Sequence, residues 1–132
     1  MTRILLISTL FLLLVSCNDD DDSTGNDSCI SYERALITEV DAPTTGTVNQ
    51  PVNFEVTFQI NDGCGAFDEF IETADGNLKI IEVNAKYEGC FCTQAIEMIT
   101  KSYSFTPTSA GVYTIKFKSS ETEFLIVDVE IY

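Results

Sequence analysis

One segment near the middle of the chain alternates strictly between apolar and polar residues. Its apolar members are Val52, Phe54, Val56, Phe58 and Ile60, and its polar members are Asn53, Glu55, Thr57 and Gln59. Successive side chains of a β-strand point to opposite faces, so this period of two predicts a half-buried strand over 52–60. Because one face of that strand is apolar throughout, it must pack against a second layer of structure.

Similar patterns recur on both sides of this strand. A two-faced strand is predicted from Arg34 to Val40, a pair of strands over 67–73 and 78–87, and a last strand over 124–131. Asp75-Gly76 predicts a type I′ hairpin turn between the paired strands, since both residues tolerate a positive φ. Residues 94–105 fit either a short helix followed by a strand or one strand with charges on its inner face, and we favour the strand. The residues predicted to face inward in the later strands are Ile81, Val83, Ala85, Tyr87, Leu125, Val127, Val129 and Ile131.

The N-terminus has the pattern of an export signal. Arg3 precedes an apolar run from Ile4 to Val15, which is shorter than the roughly 20 residues of a transmembrane helix. The run ends Leu14-Val15-Ser16-Cys17 and resembles a bacterial lipoprotein signal. That resemblance implies cleavage before Cys17 and lipid on Cys17, which anchors the chain stably when two or more acyl chains are present. The predicted organisation is a signal peptide at 1–16, a lipidated acidic tether at 17–28 and one domain at 29–132.

Asn18 and the four aspartates that follow it, Asp19 to Asp22, resemble the surface-export signal of Bacteroidota-type lipoproteins. The resemblance implies an outer-membrane protein that faces the cell exterior. The alternative is a solvated spacer, which is what acidic runs usually are. The chain has a formal net charge of −14, and a nucleic-acid role is excluded because phosphate binding needs a basic face.

Four cysteines lie beyond the predicted tether: Cys29, Cys64, Cys90 and Cys92. An even number in an exported chain predicts two disulfides. A bond between Cys90 and Cys92 would close a strained, very small ring, so Cys29 and Cys64 are each expected to pair with one of those two. The choice between the two patterns stays open. A thiolate metal site at Cys64, Cys90 and Cys92 is the alternative, in a chain that has no histidine.

The segment from Phe105 to Phe117 resembles the E–F corner of an immunoglobulin-like sandwich. That resemblance implies that Tyr113 places its hydroxyl on nearby backbone, as in a tyrosine corner. Ile115 stands where antibody domains have their second cysteine, and the chain has no tryptophan, so membership of the antibody type is excluded. With about seven strands predicted, the expected fold is an all-β, two-sheet immunoglobulin-like sandwich.

The sequence offers little for catalysis. Without histidine there is no Ser-His or Cys-His nucleophile pair, and Ser102 beside Lys101 is a poor substitute because neighbouring strand residues point to opposite faces. The carboxylate pairs Asp68 with Glu72 and Glu69 with Glu82 are expected to be solvated surface groups. Further candidates are a calcium site from Asp62, Asp68 and Asp75, and a carbohydrate platform from Tyr32, Tyr87 and Tyr103. We predict a protein without catalytic activity and without a cofactor.

Phe91 lies between two cysteines in a predicted loop. Held by disulfides, an exposed aromatic residue there would make a good contact for a partner, whereas the alternative is that it plugs the end of the sandwich. The sequence therefore predicts a lipid-anchored interaction or accessory module of the cell envelope, attached to the membrane through its N-terminal lipid and binding another envelope protein. Alternatives are a structural envelope lipoprotein, a carbohydrate- or calcium-binding module, and a small hydrolase or inhibitor.

Overall fold

The computed structural model describes residues 29–132, which form nine β-strands in two sheets packed face to face, with no helix among them. The predicted all-β, two-sheet sandwich is thereby confirmed. The predicted signal peptide, the tether and the lipidation site Cys17 lie outside the described residues. Within residues 29–132 there is no helical segment of the length and hydropathy needed to cross a membrane.

The strands follow one another with short connections. They are β1 (Ile30–Ala35), β2 (Ile37–Asp41), β3 (Thr45–Gly46), β4 (Val52–Ile60), β5 (Gly65–Asp75), β6 (Leu78–Glu88), β7 (Glu97–Phe105), β8 (Gly111–Lys118) and β9 (Phe124–Ile131). The smaller sheet has the order β2-β4-β7. The larger sheet is built around β6, which pairs with β5 over 78–87 and, along its other edge, with β8 over 78–81 and β1 over 83–88. Beyond β8 the larger sheet continues through β9 to β3.

Most strand pairs are antiparallel, but β6 with β8 and β3 with β9 are parallel. Parallel neighbours require a crossover connection, because a tight hairpin joins only antiparallel strands. Here the chain leaves β6, crosses to the smaller sheet as β7, and returns as β8 beside β6. Sequence-adjacent strands therefore contribute to both layers.

The segment predicted as one strand from Arg34 to Val40 is two strands in two sheets. The chain changes sheet at Leu36, whose carbonyl accepts a hydrogen bond from Gln59 N at 3.0 Å. Ala35 ends β1 facing the core from the larger sheet, and Ile37 begins β2 facing the same core from the smaller sheet. The two-faced pattern in the sequence arises from this change of sheet, so the single-strand prediction was wrong.

The core lies between the two sheets. All five apolar residues of β4 are buried, and so are Ile81, Val83, Ala85 and Tyr87 of β6. In β9, Val129 and Ile131 are buried, while Leu125 and Val127 are partly buried against the same cluster. The inward faces predicted from the period of two are confirmed. Burying a large apolar side chain contributes about 1.5–3 kcal/mol, so this cluster is the main source of stability.

The hairpin predicted at Asp75-Gly76 exists, but its turn lies one residue later. Asp75 pairs with Leu78, which leaves Gly76 and Asn77 as the two loop residues. Gly76 has a φ of +58°, and Asn77 does not have a positive φ. A positive φ at the first loop residue alone is the pattern of a type II′ turn and not of a type I′ turn.

Residues 97–105 form a strand, β7, as favoured from the sequence. Glu97 and Lys101 pair with Ile60 and Val56 of β4 and so belong to the inner side of the sheet. They are tolerated because β7 is an edge strand, and the Lys101 ammonium extends over the Phe67 ring, 5.8 Å from its centroid. Inward-pointing charges on an edge strand also discourage pairing with a foreign strand.

The tyrosine corner is present. The Tyr113 hydroxyl donates a hydrogen bond to the carbonyl oxygen of Ser109, four residues upstream, at 3.1 Å. Tyr113 itself is buried, and its ring contacts Phe105 at a centroid distance of 5.4 Å. The corner therefore fixes the connection that carries the chain from the smaller sheet back to the larger one.

Candidate interaction site at the disulfide tip

The four cysteines form two disulfides at one end of the sandwich. Cys29 is bonded to Cys90, and Cys64 is bonded to Cys92, with Cα–Cα distances of 5.0 and 5.4 Å. The prediction of two bonds is confirmed, and the pairing that the sequence left open is resolved. The alternative thiolate metal site is contradicted, because each of its three sulfurs is joined to another sulfur.

Two connections between the sheets meet at this end. Residues 61–64 carry the chain from β4 to β5, and residues 89–96 carry it from β6 to β7. A backbone hydrogen bond from Gly63 N to Thr93 O at 2.9 Å joins them, and one from Glu88 N to Cys64 O at 3.1 Å joins the first connection to the end of β6. We call these two connections, together with Cys29 and Ile30 at the start of β1, the disulfide tip.

Gly89 is the residue that lets the two disulfides lie side by side. Its φ is +142°, a conformation that is essentially open to glycine alone. A Cβ at this position would lie 2.8 Å from Cys64 Sγ, so a larger residue would collide with the second disulfide. Its N–H donates to the Cys29 carbonyl at 2.8 Å, which brings the start of β1 against the end of β6.

Phe91 extends from this framework into solvent. Its side chain is 99% exposed, so the alternative that it plugs the end of the sandwich is wrong. Its neighbours on both sides, Cys90 and Cys92, are covalently held to two different parts of the fold. A fully exposed phenylalanine is costly to hydrate, and a residue fixed on both sides loses little conformational entropy when a partner covers it.

Further exposed apolar residues lie at the same end. Ile30 is the first residue of β1, Ile96 ends the 89–96 connection, and Met98 is the second residue of β7. The exposure of these three residues was not predicted from the sequence. Their closeness in sequence to Cys29 and Cys92 could have placed them at the tip. The period of two does not show whether an apolar residue is exposed to solvent or buried in the core.

The tip carries acidic residues and no basic ones. Asp62 lies within it, while Glu88 and Glu97 border it at the end of β6 and the start of β7. No lysine or arginine occurs in residues 29–33, 61–66 or 88–98. Just outside these segments, Arg34 lies on β1, and Lys86 forms an ion pair with Glu88 at 2.9 Å. The apolar surface at the tip is therefore flanked by carboxylates.

Asp62, Cys64 and Cys92 come together closely enough to suggest a metal site. However, the two sulfurs are bonded to each other and carry no thiolate, and Asp62 Oδ1 accepts a hydrogen bond from Cys64 N at 2.8 Å. Asp62 thus closes a local turn. The three aspartates of the predicted calcium site do not come together, because Asp62 and Asp75 lie at opposite ends of the 11-residue β5, with Asp68 between them.

The predicted carbohydrate platform does not assemble either. Tyr87 is buried, and its hydroxyl accepts a hydrogen bond from Asn61 N at 3.0 Å. Tyr103 is also buried, and its hydroxyl donates to Glu72. Of the three tyrosines only Tyr32 is exposed, on β1.

The predicted carboxylate pairs do not form, and three of the four carboxylates have other partners. Asp68 accepts a hydrogen bond from Asn84 at 2.9 Å, and Glu82 forms ion pairs with Arg34 and Lys118. Glu72 accepts hydrogen bonds from Lys79 and Tyr103. Glu69 pairs with Asn84 and not with Glu82 in the strand register. These contacts are structural, as expected for solvated or paired surface carboxylates.

Glu72 is a carboxyl whose surroundings shift its pKa. Burial acts to raise its pKa, but the hydrogen bonds from Lys79 and Tyr103 and the charge of Lys79 together hold the pKa of Glu72 below its ordinary value. Burial, and then the bond to Glu72, raises the pKa of Tyr103 well above its ordinary range. Glu72 is therefore ionised and Tyr103 neutral at physiological pH, and together they join β5 to β7 across the side of the sandwich.

A groove of about 310 Å³ lies at the opposite end of the sandwich, beside the β5–β6 turn and the β7–β8 connection. Several of the polar side chains that line it are already bonded: Asn77 to the Val112 carbonyl, Lys79 to Glu72, and Tyr113 to Ser109. Ser102 and Lys101, the other sequence candidate for catalysis, lie on the exposed edge strand β7 and not in this groove. These bonded side chains are engaged in the fold, so they are not the free, converging polar groups that an active site uses.

The fold and the tip together define a small, disulfide-linked β-sandwich that presents an apolar tip to solvent. A family model for the ORF11 beta-sandwich domain matches residues 54–126, which is 73 of the 132 residues. The chain therefore belongs to the ORF11 beta-sandwich domain family. The matched range includes Phe91 and three of the four disulfide cysteines, and Cys29 lies before it. Searches of curated proteins and of solved structures return no match to the chain.

Proposed function

We propose that this protein is a lipid-anchored interaction module of a bacterial outer membrane, exposed at the cell surface and without catalytic activity. Its anchor would be the lipid on Cys17, and its contact residue would be Phe91. The single observation that carries the proposal is the complete exposure of Phe91 on a loop that two disulfides hold in place. A bacterial, Bacteroidota-type origin is part of the proposal and rests on the sequence around Cys17.

Two further features support a binding role over a catalytic one. Three of the four carboxylates considered as catalytic pairs, Asp68, Glu72 and Glu82, are bonded to cations, an amide or a phenol of the framework. The apolar surface at the tip also sits on the two most heavily cross-linked connections of the described residues. A contact site of this kind is preorganised, which lowers the entropic cost of binding.

The binding proposal is tested by removing the aromatic side chain. Phe91→Ser, in the full chain expressed in its native cell, is compared with Val112→Ser after brief cross-linking and purification of the protein from membranes. Val112 is the matched control because it is also apolar and 54% exposed but lies at the start of β8, at the opposite end. Burying one phenylalanine contributes about 2–3 kcal/mol, so Phe91→Ser should weaken partner capture about 30- to 150-fold.

Stability measurements separate binding from folding. Phe91 is 99% exposed, so Phe91→Ser should change the free energy of unfolding by less than about 0.5 kcal/mol, and Val112→Ser, at a position 54% exposed, by no more than about 1 kcal/mol. Equal capture by Phe91→Ser and the unsubstituted protein would refute the proposed contact site. For the anchor, the mass of the N-terminal peptide should show acyl chains on Cys17, and Cys17→Ala should release the protein from the membrane. An unlipidated Cys17 would refute that half of the proposal.

A further inference from the structure

The described fold begins at the disulfide tip. Cys29 is its first residue and is bonded to Cys90, so the point where the chain enters the sandwich lies directly beside Phe91. Residues 18–28 are eleven in number and, even fully extended, reach no more than about 40 Å. Whatever holds Cys17 therefore also holds the tip within that distance and on that side of the domain.

The far end of the sandwich lies on the side away from the point where the chain enters the fold. The β5–β6 turn at Gly76 and the start of β8 at Gly111 lie at the end of the strands remote from the cysteines. β6 runs the whole way between the two ends, from Leu78 to Glu88. With an anchor at Cys17, a partner free in the surrounding medium would meet the far end more readily, while a partner fixed in the membrane would meet the tip.

The charge at the tip distinguishes between two kinds of membrane partner. Asp62 lies in the tip and Glu97 borders it, whereas Glu88 is already ion-paired with Lys86 at 2.9 Å; no lysine or arginine lies in the segments that form the tip. Anionic lipid headgroups attract basic segments and repel acidic ones, so the lipid surface itself is a poor match. A protein surface with an apolar pocket and a basic rim matches both the phenylalanine and the carboxylates.

Building on the proposed function, we infer that the tip docks onto a second protein resident in the same membrane. That partner presents an apolar pocket to Phe91 and lysine or arginine side chains to Glu97 and Asp62. The lipid anchor keeps the tip near the membrane plane, which raises the effective concentration of the two surfaces for one another. The ligand class is thus a basic-rimmed pocket on a membrane protein.

The test places a photo-cross-linking amino acid, p-benzoylphenylalanine, at position 91 and in a separate variant at position 112. Both full-length proteins are irradiated in intact cells, and the adducts are identified by mass spectrometry. Position 91 should yield one membrane protein, and position 112 should yield at least fivefold less of that adduct. The inference would be overturned if position 91 gave no adduct, or if its adducts were mainly with lipid or with a soluble protein. A stronger adduct from position 112 would overturn it as well.

A charge reversal tests the basic rim. Glu97→Lys, added to the position-91 probe, should lower the adduct yield about fivefold, because a like charge then faces the rim. Asp75→Lys, the same change at the far end of β5, should leave the yield unchanged. Equal yields from both would contradict the rim chemistry. The mass of the Cys17 peptide is measured in the same samples. If Cys17 carries lipid and the position-91 probe cross-links only to soluble protein, this inference fails while the proposed anchor stands. If Cys17 is unmodified, both fail.

Discussion

The two disulfides should contribute unequally to stability, because they close loops of different length. Cys29–Cys90 spans 61 residues and Cys64–Cys92 spans 28. In the chain-entropy model a cross-link removes freedom from the unfolded chain in proportion to the logarithm of loop length. That gives about 4.3 kcal/mol for the first bond and about 3.6 kcal/mol for the second, a difference of about 0.7 kcal/mol.

The perturbation is the paired replacement of both cysteines of one bond by serine, which avoids a leftover thiol. Urea unfolding followed by far-ultraviolet circular dichroism suits the chain, since it is rich in strand and has no tryptophan. Domains of this size are stable by about 5–15 kcal/mol, so each paired variant should still fold but with a clearly lower urea midpoint. The variant that lacks Cys29–Cys90 should be the less stable of the two.

Two results would refute this reasoning. A loss below about 1 kcal/mol for either pair would mean that the unfolded chain is already constrained without the bond. A larger loss for Cys64–Cys92 would mean that loop length does not control the effect. The connectivity is checked independently by chymotrypsin, because cleavage after the exposed Phe91 separates Cys90 from Cys92 without reduction. A fragment that links Cys29 to Cys92 would contradict the structure.

Three further outcomes follow from single contacts. Tyr113→Phe removes the hydrogen bond of the tyrosine corner and should lower the free energy of unfolding in urea by about 1–1.5 kcal/mol. The control Tyr32→Phe, at an exposed tyrosine, should change that free energy by less than about 0.5 kcal/mol. Equal effects would contradict the role of the corner. Gly89→Ala should destabilise the oxidised protein more than Gly76→Ala, since a methyl group at 89 meets a disulfide sulfur and one at 76 meets nothing within 4 Å; the reverse order would contradict the close approach. Glu72→Gln should cost about 1 kcal/mol at pH 7. Because the pKa of this carboxyl is lower folded than unfolded, its contribution is complete above about pH 4.5 and is lost as pH falls through the folded pKa, so the two proteins should converge in acid urea titrations; a gap that stays constant with pH would contradict that shift.

The inner faces of the strands were predictable because burial imposes the period of two. β4 and β9 have the predicted bounds, and every apolar residue of β4 faces the core. The change of sheet at Leu36 was not predictable, since a strand that passes from one sheet to the other keeps its backbone extended while its side chains exchange sides. The parallel pairing of β6 with β8 was also hidden, because a partner strand leaves no mark on the periodicity of either strand.

The tip was predictable in composition but not in geometry. Counting cysteines and excluding the Cys90–Cys92 ring left two pairings, and only the three-dimensional positions of Cys29 and Cys64 distinguish them. The exposure of Phe91 likewise depends on how the 89–96 connection leaves β6. Gly89 was the overlooked signal, as a glycine directly before a Cys-x-Cys segment allows the backbone conformation that brings the disulfides together.

The bond from Cys29 to Cys90 also has a mechanical consequence. β1 pairs antiparallel with β6 and begins where the chain enters the fold, so tension on the preceding residues would otherwise unzip β1 one hydrogen bond at a time. The disulfide instead transfers that tension directly to the residue two positions beyond the end of β6, the central strand of the larger sheet. Residues 30–89 lie inside the covalent loop, so the disulfide gives the tension a path that bypasses the hydrogen bonds between β1 and β6. A domain held by its N-terminus against flow would thus keep its first strand in place for as long as the bond stays oxidised.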